Sequence, residues 1–110
     1  MASTKPDLLQ GTLDMLILKS LTAGPLHGYA VLRSIQQVSG DILRVEEGSL
    51  YPALHRMERR GWIESKWGPS ENNRRARFYR LTKTGRKQLL VEANSWATVS
   101  TAIAKIMQTA

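Results

Sequence analysis

Cysteine is missing altogether, so this 110-residue chain can form no disulfide and offers no thiolate as nucleophile or metal ligand. Histidine is scarce: His27 and His55 fall on different segments, and no carboxylate is patterned beside either. Neither metal-ligand spacing nor a glycine-rich phosphate loop occurs. These absences argue against an enzyme and against a bound metal or cofactor. No stretch approaches the roughly 18 apolar residues of a membrane span. The opening residues, MASTKPD, lack the charged and apolar regions of a signal peptide. A cytoplasmic location without a membrane partner is the expectation. Acids are also few: nine stand against sixteen Lys and Arg, for a net charge of +7 and a pI near 10.3. Such a balance favours a polyanion, with nucleic acid ahead of an anionic membrane, over a basic surface kept for solubility.

The charge that is present is local. From Arg56 to Lys87 there are eleven Lys or Arg and three acids, a balance of +8 against +7 for the whole chain. The length suits one domain, and 42% apolar residues can build a modest core.

Apolar spacing and punctuation give the elements. Residues 1–7 read as a flexible N-terminus. Asp7 and Gln10 can box the start of a helix over about 8–22, with Leu9, Leu13, Leu16, Ile17 and Leu21 as its stripe. Gly24 and Pro25 stop it. A second helix spans about 27–38 and buries Gly28, Val31, Leu32, Ile35 and Val38. Residues 42–45 suit a short extended piece. Ser49 is a good N-cap for a third helix to about Arg60, which places Pro52 in the tolerant first turn. Leu50, Ala53, Leu54 and Met57 form its inner face, and Gly61 its left-handed end. Residues 62–67 and 77–81 read as two strands around a long polar tip. Thr82 caps a last helix reaching about Met107. The fold class expected is mainly α with a small β-hairpin: a winged helix-turn-helix over 8–81, then a C-terminal dimerisation helix over 82–110.

Four stretches carry a family resemblance: LLQGTLDMLILKSL (8–21), PLHGYAVL (25–32), EGSLYPALHRMERRGWI (47–63) and RRARFYRLTKTGRKQL (74–89). They cover about residues 8–90 and resemble the PadR family of transcriptional regulators. The resemblance implies a homodimeric, double-stranded-DNA-binding regulator, usually a repressor, with the C-terminal helix in the dimer contact. Members with long C-terminal regions carry several further helices; here one fits.

The candidate binding residues follow from the faces. With Leu50, Leu54 and Met57 inward, Ser49, Tyr51, Pro52, His55 and Arg56 are left for the major groove. Tyr51 has an alternative place in the core. Arg59 and Arg60 suit a solvated face or phosphate. In the wing, Asn72, Asn73, Arg74, Arg75 and Arg77 form a basic run, read either as a loose loop or as a contact to the backbone or a narrow minor groove. Lys66 and Lys83 suit phosphate. His27 and Tyr29 could meet phosphate at the second helix's N-terminus, or cap that helix and fill the core. On the last helix, Leu89, Ala93, Trp96, Val99, Ile103 and Ile106 make an apolar seam fit for a second copy and a palindromic operator. Some family members bind flat aromatic effectors at the dimer interface, which implies a possible small aromatic effector beside Met15 and Trp96; plain packing is the alternative. A protein-interaction winged helix and a sequence-independent nucleoid protein remain the rival functions.

Overall fold

The computed structural model describes the backbone of residues 4–110 and side chains from residue 11 onward. Seven elements follow in order: α1 (Thr4–Ser20), β1 (Leu26–His27), α2 (Gly28–Val38), α3 (Glu47–Arg59), β2 (Ile63–Pro69), β3 (Arg75–Leu81) and α4 (Lys83–Met107). The fold is thus mainly helical, with a small antiparallel sheet in the order β1-β3-β2.

α1 contacts α2, α3 and α4, which explains its composition. Ile17, Leu18 and Leu21 are fully buried, and Leu13 and Leu16 pack against the same core. A helix covered on several sides carries apolar residues around most of its circumference. The single stripe expected from spacing therefore left out Leu18. α1 starts at Thr4, earlier than the expected cap at Asp7. Residues 4–7 of the expected flexible terminus are thus helical, while residues 1–3 and the side chains of the Asp7–Gln10 box lie outside the described ones.

The core is closed by Val31 and Ile35 of α2, by Leu50, Ala53, Leu54 and Met57 of α3, and by Ile63, Tyr79 and Leu81 of the sheet. Val38, expected on the buried side of α2, is 86% exposed because the helix ends there, past the core. The expected extended piece at 42–45 belongs to none of the strands.

α3 corrects one local reading. The amides of Ser49 and Leu50 both donate to the Glu46 carbonyl at 3.0 Å, so the helix is already closed before Ser49. Glu46 is the N-cap and makes no side-chain capping bond. Ser49 sits in the first turn and Pro52 in the second, where proline has no N–H for the Gly48 carbonyl. At the other end Gly61 has φ +77°, Trp62 N–H donates to Met57 at 3.0 Å and Gly61 N–H to Glu58 at 3.0 Å. This is the Schellman closure expected of Gly61.

The hairpin is longer and its tip shorter than expected. Pairing runs from Ile63 opposite Leu81 to Pro69 opposite Arg75. Only Ser70 to Arg74 turn: Ser70 N–H donates to the Arg74 carbonyl at 2.8 Å, and Asn73 takes φ +61°. A three-residue loop with its last residue left-handed matches the twist of paired strands. Arg75 and Arg77 are therefore strand residues. β1 adds a two-residue edge, with Leu26 opposite Tyr79 and His27 opposite Phe78.

α4 is pinned where it begins. The Thr82 hydroxyl accepts from Gly85 N–H at 3.0 Å and donates to the Gly61 carbonyl at 2.6 Å. A Cβ on Gly85 would lie 1.9 Å from the Trp62 carbonyl oxygen, so no side chain fits there. The helix then runs along α1 and onward, giving the molecule a longest extent of 57 Å.

Candidate nucleic-acid interface

The helical angle of α3 sorts its side chains into three groups. At about 100° per residue, positions opposite Leu50, Leu54 and Met57 are Pro52, His55 and Arg59. All three are exposed, as is Ser49 in the first turn. Pro52, His55 and Arg59 form a ridge along the outward side of the helix, and Ser49 stands on the flank that Arg56 shares. Arg59, expected on a solvated face or at phosphate, stands on this ridge four residues after His55.

The two flanks of α3 face protein. On one, Arg56 turns to α1 and donates to the Asp14 carboxylate, with 20% of its side chain exposed against 8% for Asp14. Arg56, expected among the groove-reading residues, is thus engaged by an acid of its own chain. Its position about a quarter-turn to a third-turn from the buried face puts it against the neighbouring helix. Burial pushes the Asp14 carboxyl above its ordinary value of 3.8, with the Arg56 guanidinium opposing that rise and Glu92 of α4 adding to it.

On the other flank Tyr51 lies half-buried against α2. A Cβ on Gly28 would sit 2.7 Å from the Tyr51 hydroxyl, so glycine at 28 is what admits the ring. Burial raises the Tyr51 pKa, with Glu47 adding to it, and the phenol stays a neutral hydrogen-bonding group. Both alternatives for Tyr51 meet here: its body packs inward and its face lines a groove.

That groove, about 660 Å³, runs between the start of α2, the side of α3 and the wing. It brings together Tyr29, Arg33, Tyr51, His55, Trp67, Arg74, Arg75 and Arg77. Tyr29 is 55% exposed rather than packed in the core, with the Arg33 guanidinium 5.8 Å from its ring centre. His27 caps α2: its Nδ1 accepts from Ala30 N–H at 3.2 Å, and its ring meets Phe78 edge-on at 5.4 Å. Capping occupies Nδ1 and leaves Nε2 for any phosphate.

The wing is held from within. Trp67 lies across from Arg77, and the guanidinium carbons of Arg75 and Arg77 sit 5.9 and 6.0 Å from its ring centre. Arg77 Nε donates to the Ser65 hydroxyl at 2.9 Å, and that hydroxyl donates to Glu58 Oε2 at 2.6 Å. Asn72, Asn73 and Arg74 form the exposed tip. Lys66 is exposed on the far side of the sheet, paired with Phe78, and Lys83 is exposed at the first turn of α4. Neither joins the groove lining. Tyr79 closes the floor, its pKa raised by burial against the opposing pull of Arg77.

The other expected sites lie on α4. Leu89 and Val99 are half-buried; Ala93, Trp96, Ile103 and Ile106 are exposed in the single chain. Met15 and Trp96 do come together, with Gly11, Thr12, Glu92, Ser95 and Val99, around a cleft of about 150 Å³ between α1 and α4. Among the described residues no cluster of His, Asp or Glu could hold a metal, and no helix is long and apolar enough to cross a membrane.

This geometry can be set beside known proteins. Residues 17–90 match the model of the transcriptional regulator PadR-like family. A transcriptional regulator from Clostridium thermocellum superposes with a TM-score of 0.81 at 30% identity, covering 90% of this chain and 96% of that one. A PadR family regulator from Eggerthella lenta gives 0.78 at 28% identity, covering 99% and 93%. A 37.1 kDa protein of a Streptomyces fradiae transposon is 45% identical over 87 residues, which are 79% of this chain but 24% of the relative. The chain thus spans about a quarter of that relative's length. The extent of the family match and the shared winged-helix fold agree: this chain belongs to the PadR-like family of transcriptional regulators, a family of DNA-binding proteins and not of enzymes.

Proposed function

We propose that the protein is a homodimeric, sequence-specific repressor that binds a palindromic duplex operator in the cytoplasm. One observation supports this reading: His55 from the outward ridge of α3, Tyr51 from its flank and the wing arginines line a single groove on one side of the molecule. Ser49, Pro52, His55 and Arg59 would enter the major groove, with Tyr51 along its wall. Arg74 and Arg75, with Asn72 and Asn73, would follow the backbone or a narrow minor groove. Tyr29, Arg33 and the free edge of His27 would meet phosphate beside the α2 N-terminus. Lys66 and Lys83 would add long-range attraction from outside the groove.

The dimer reading rests on α4. Trp96, Ile103 and Ile106 remain 45%, 47% and 66% exposed along one seam, which a second copy of the helix would cover. Two copies would then read half-sites about 34–36 Å apart, or a multiple of that. Selection of bound sequences from a random duplex pool tests the whole proposal. A palindromic consensus is the expected result. Recovery of no consensus, with equal affinity for all duplexes, would favour sequence-independent binding instead.

A small aromatic effector is a second, narrower reading. Met15 and Trp96 share a cleft beside the α4 seam. Titrating tryptophan fluorescence with phenolic acids and planar cationic compounds should give a saturable change. A flat response across the series would remove the effector.

A further inference from the structure

The wing is fastened to α3 by side chains as well as by the chain itself. Glu58 in the last turn of α3, Ser65 on β2 and Arg77 on β3 form a closed set of contacts. The Ser65 hydroxyl takes a hydrogen bond from Arg77 Nε at 2.9 Å and gives one to Glu58 Oε2 at 2.6 Å. A terminal nitrogen of Arg77 lies 3.6 Å from the same carboxylate oxygen. Ile63, Tyr79 and Leu81 fix the base of the hairpin in the core, and beyond that base the angle of the wing to α3 is left to side chains. The three side chains bridge wing and α3 on the groove side.

The position of Glu58 is informative. A carboxylate next to a duplex repels phosphate, so an acid here costs binding unless its charge is already matched. Arg77 matches it, and in doing so turns its guanidinium from the partner toward α3. Arg74 and Arg75, further out, have no ion pair with an acid among the described residues.

We infer that Arg77 is a positioning residue: held by Glu58 and Ser65, it fixes the angle between wing and α3. That angle sets the spacing between the groove-reading ridge and Arg74 with Arg75. A wing held at one angle fits a duplex whose groove features lie at one spacing, whereas a loose wing accepts many. The inference rests on the duplex-binding reading above.

Glu58→Gln, Arg77→Gln, Ser65→Ala and the double variant Glu58→Gln/Arg77→Gln test it in the full chain. Each is measured against a duplex recovered by selection and an unrelated duplex of equal length, across a salt series. Each single variant should lower the preference for the selected duplex by about three- to tenfold. Glu58→Gln should hold or raise affinity for the unrelated duplex, because a negative charge is gone. Arg77→Gln should keep the wild-type salt slope. The double variant should lose no more than either single, since all three side chains act as one unit. Ser65→Ala removes only a hydroxyl and keeps both charges, so it remains decisive if a charge variant melts early.

An Arg77→Gln chain that weakens on both duplexes alike, with a log–log salt slope shallower by about 0.9, would make Arg77 a phosphate contact and overturn the inference. Undiminished preference in Glu58→Gln and Ser65→Ala would overturn it too. A wild-type chain without any preference would remove the duplex reading and this inference together; preference in the wild type that survives every variant removes the inference alone.

Discussion

α3 and the wing tip carry similar arginines and use them differently. On α3, Arg56 is spent on Asp14 and Arg60 lies over Trp62 with its guanidinium carbon 5.2 Å from the ring centre. Between them they fasten the helix to α1 and to the turn that follows. At the tip, Arg74 is exposed on a turn closed by backbone and by the Ser70 hydroxyl, which donates to the Arg74 carbonyl at 2.8 Å. Arg75 follows on the first strand position, exposed and stacked near Trp67. A count of positive charge cannot distinguish these arginines. The partner does: Arg56 is held by the buried Asp14 carboxylate, whereas Arg74 and Arg75 have no ion pair with an acid among the described residues. Removing Arg56 is therefore expected to cost stability, and removing the tip arginines to cost affinity.

The sharpest way to break that contrast is Asp14→Ala. It strands the Arg56 guanidinium in a part-buried site, with an expected cost of about 2–4 kcal/mol in urea denaturation. Arg56→Ala should also destabilise, leaving the selectivity of the remaining folded protein close to wild type. The pH dependence has a specific sign. Because burial raises the Asp14 pKa above 3.8, the part of its contribution that depends on protonation is fully present below 3.8 and is lost as pH rises through the folded value, while the pairing with Arg56 remains. The wild type minus Asp14→Asn difference in stability should follow that course in acid titrations of unfolding. The next effect concerns the ridge. His55→Ala and Arg59→Ala should each erode operator preference by about 1–3 kcal/mol where a base contact is lost, read from competition between selected and unrelated duplexes. A smaller and less selective loss is expected at the wing: Arg75→Ala should weaken all duplexes alike and flatten the log–log salt slope by about 0.9 if one phosphate contact is removed. Smallest of all, Asn73→Gly should leave thermal stability within about 1 kcal/mol, since Asn73 already holds a left-handed backbone that glycine accepts freely.

Much of the frame was legible because its signals are local. Leu50, Leu54 and Met57 repeat at helical spacing, Gly61 ends α3 and Thr82 caps α4, and each does so in the structure. What the sequence hid depends on contacts distant along the chain. Asp14 and Arg56 are 42 residues apart, so nothing near Arg56 announces an acid. Glycine at 28 makes sense only once Tyr51 is seen over it. β1 has two residues, too few for any period to register, and needs Phe78 and Tyr79 opposite to exist at all. Gly68 and Pro69 are turn formers and suggest a long polar tip; strand pairing with Ala76 and Arg75 overrides that preference. Arg56 and Arg59 both lie outside the apolar repeat, and only the packing of α1 decides which one is covered.

The division between fastening and reading arginines can be tested by one set of salt titrations, comparing duplex binding by wild type, Arg56→Ala and Arg75→Ala below the melting range of all three. The expected result is a slope unchanged in Arg56→Ala and shallower in Arg75→Ala. A slope that flattens in Arg56→Ala while Arg75→Ala keeps the wild-type value would place the phosphate-facing charge on the helix instead of the wing, and would contradict it.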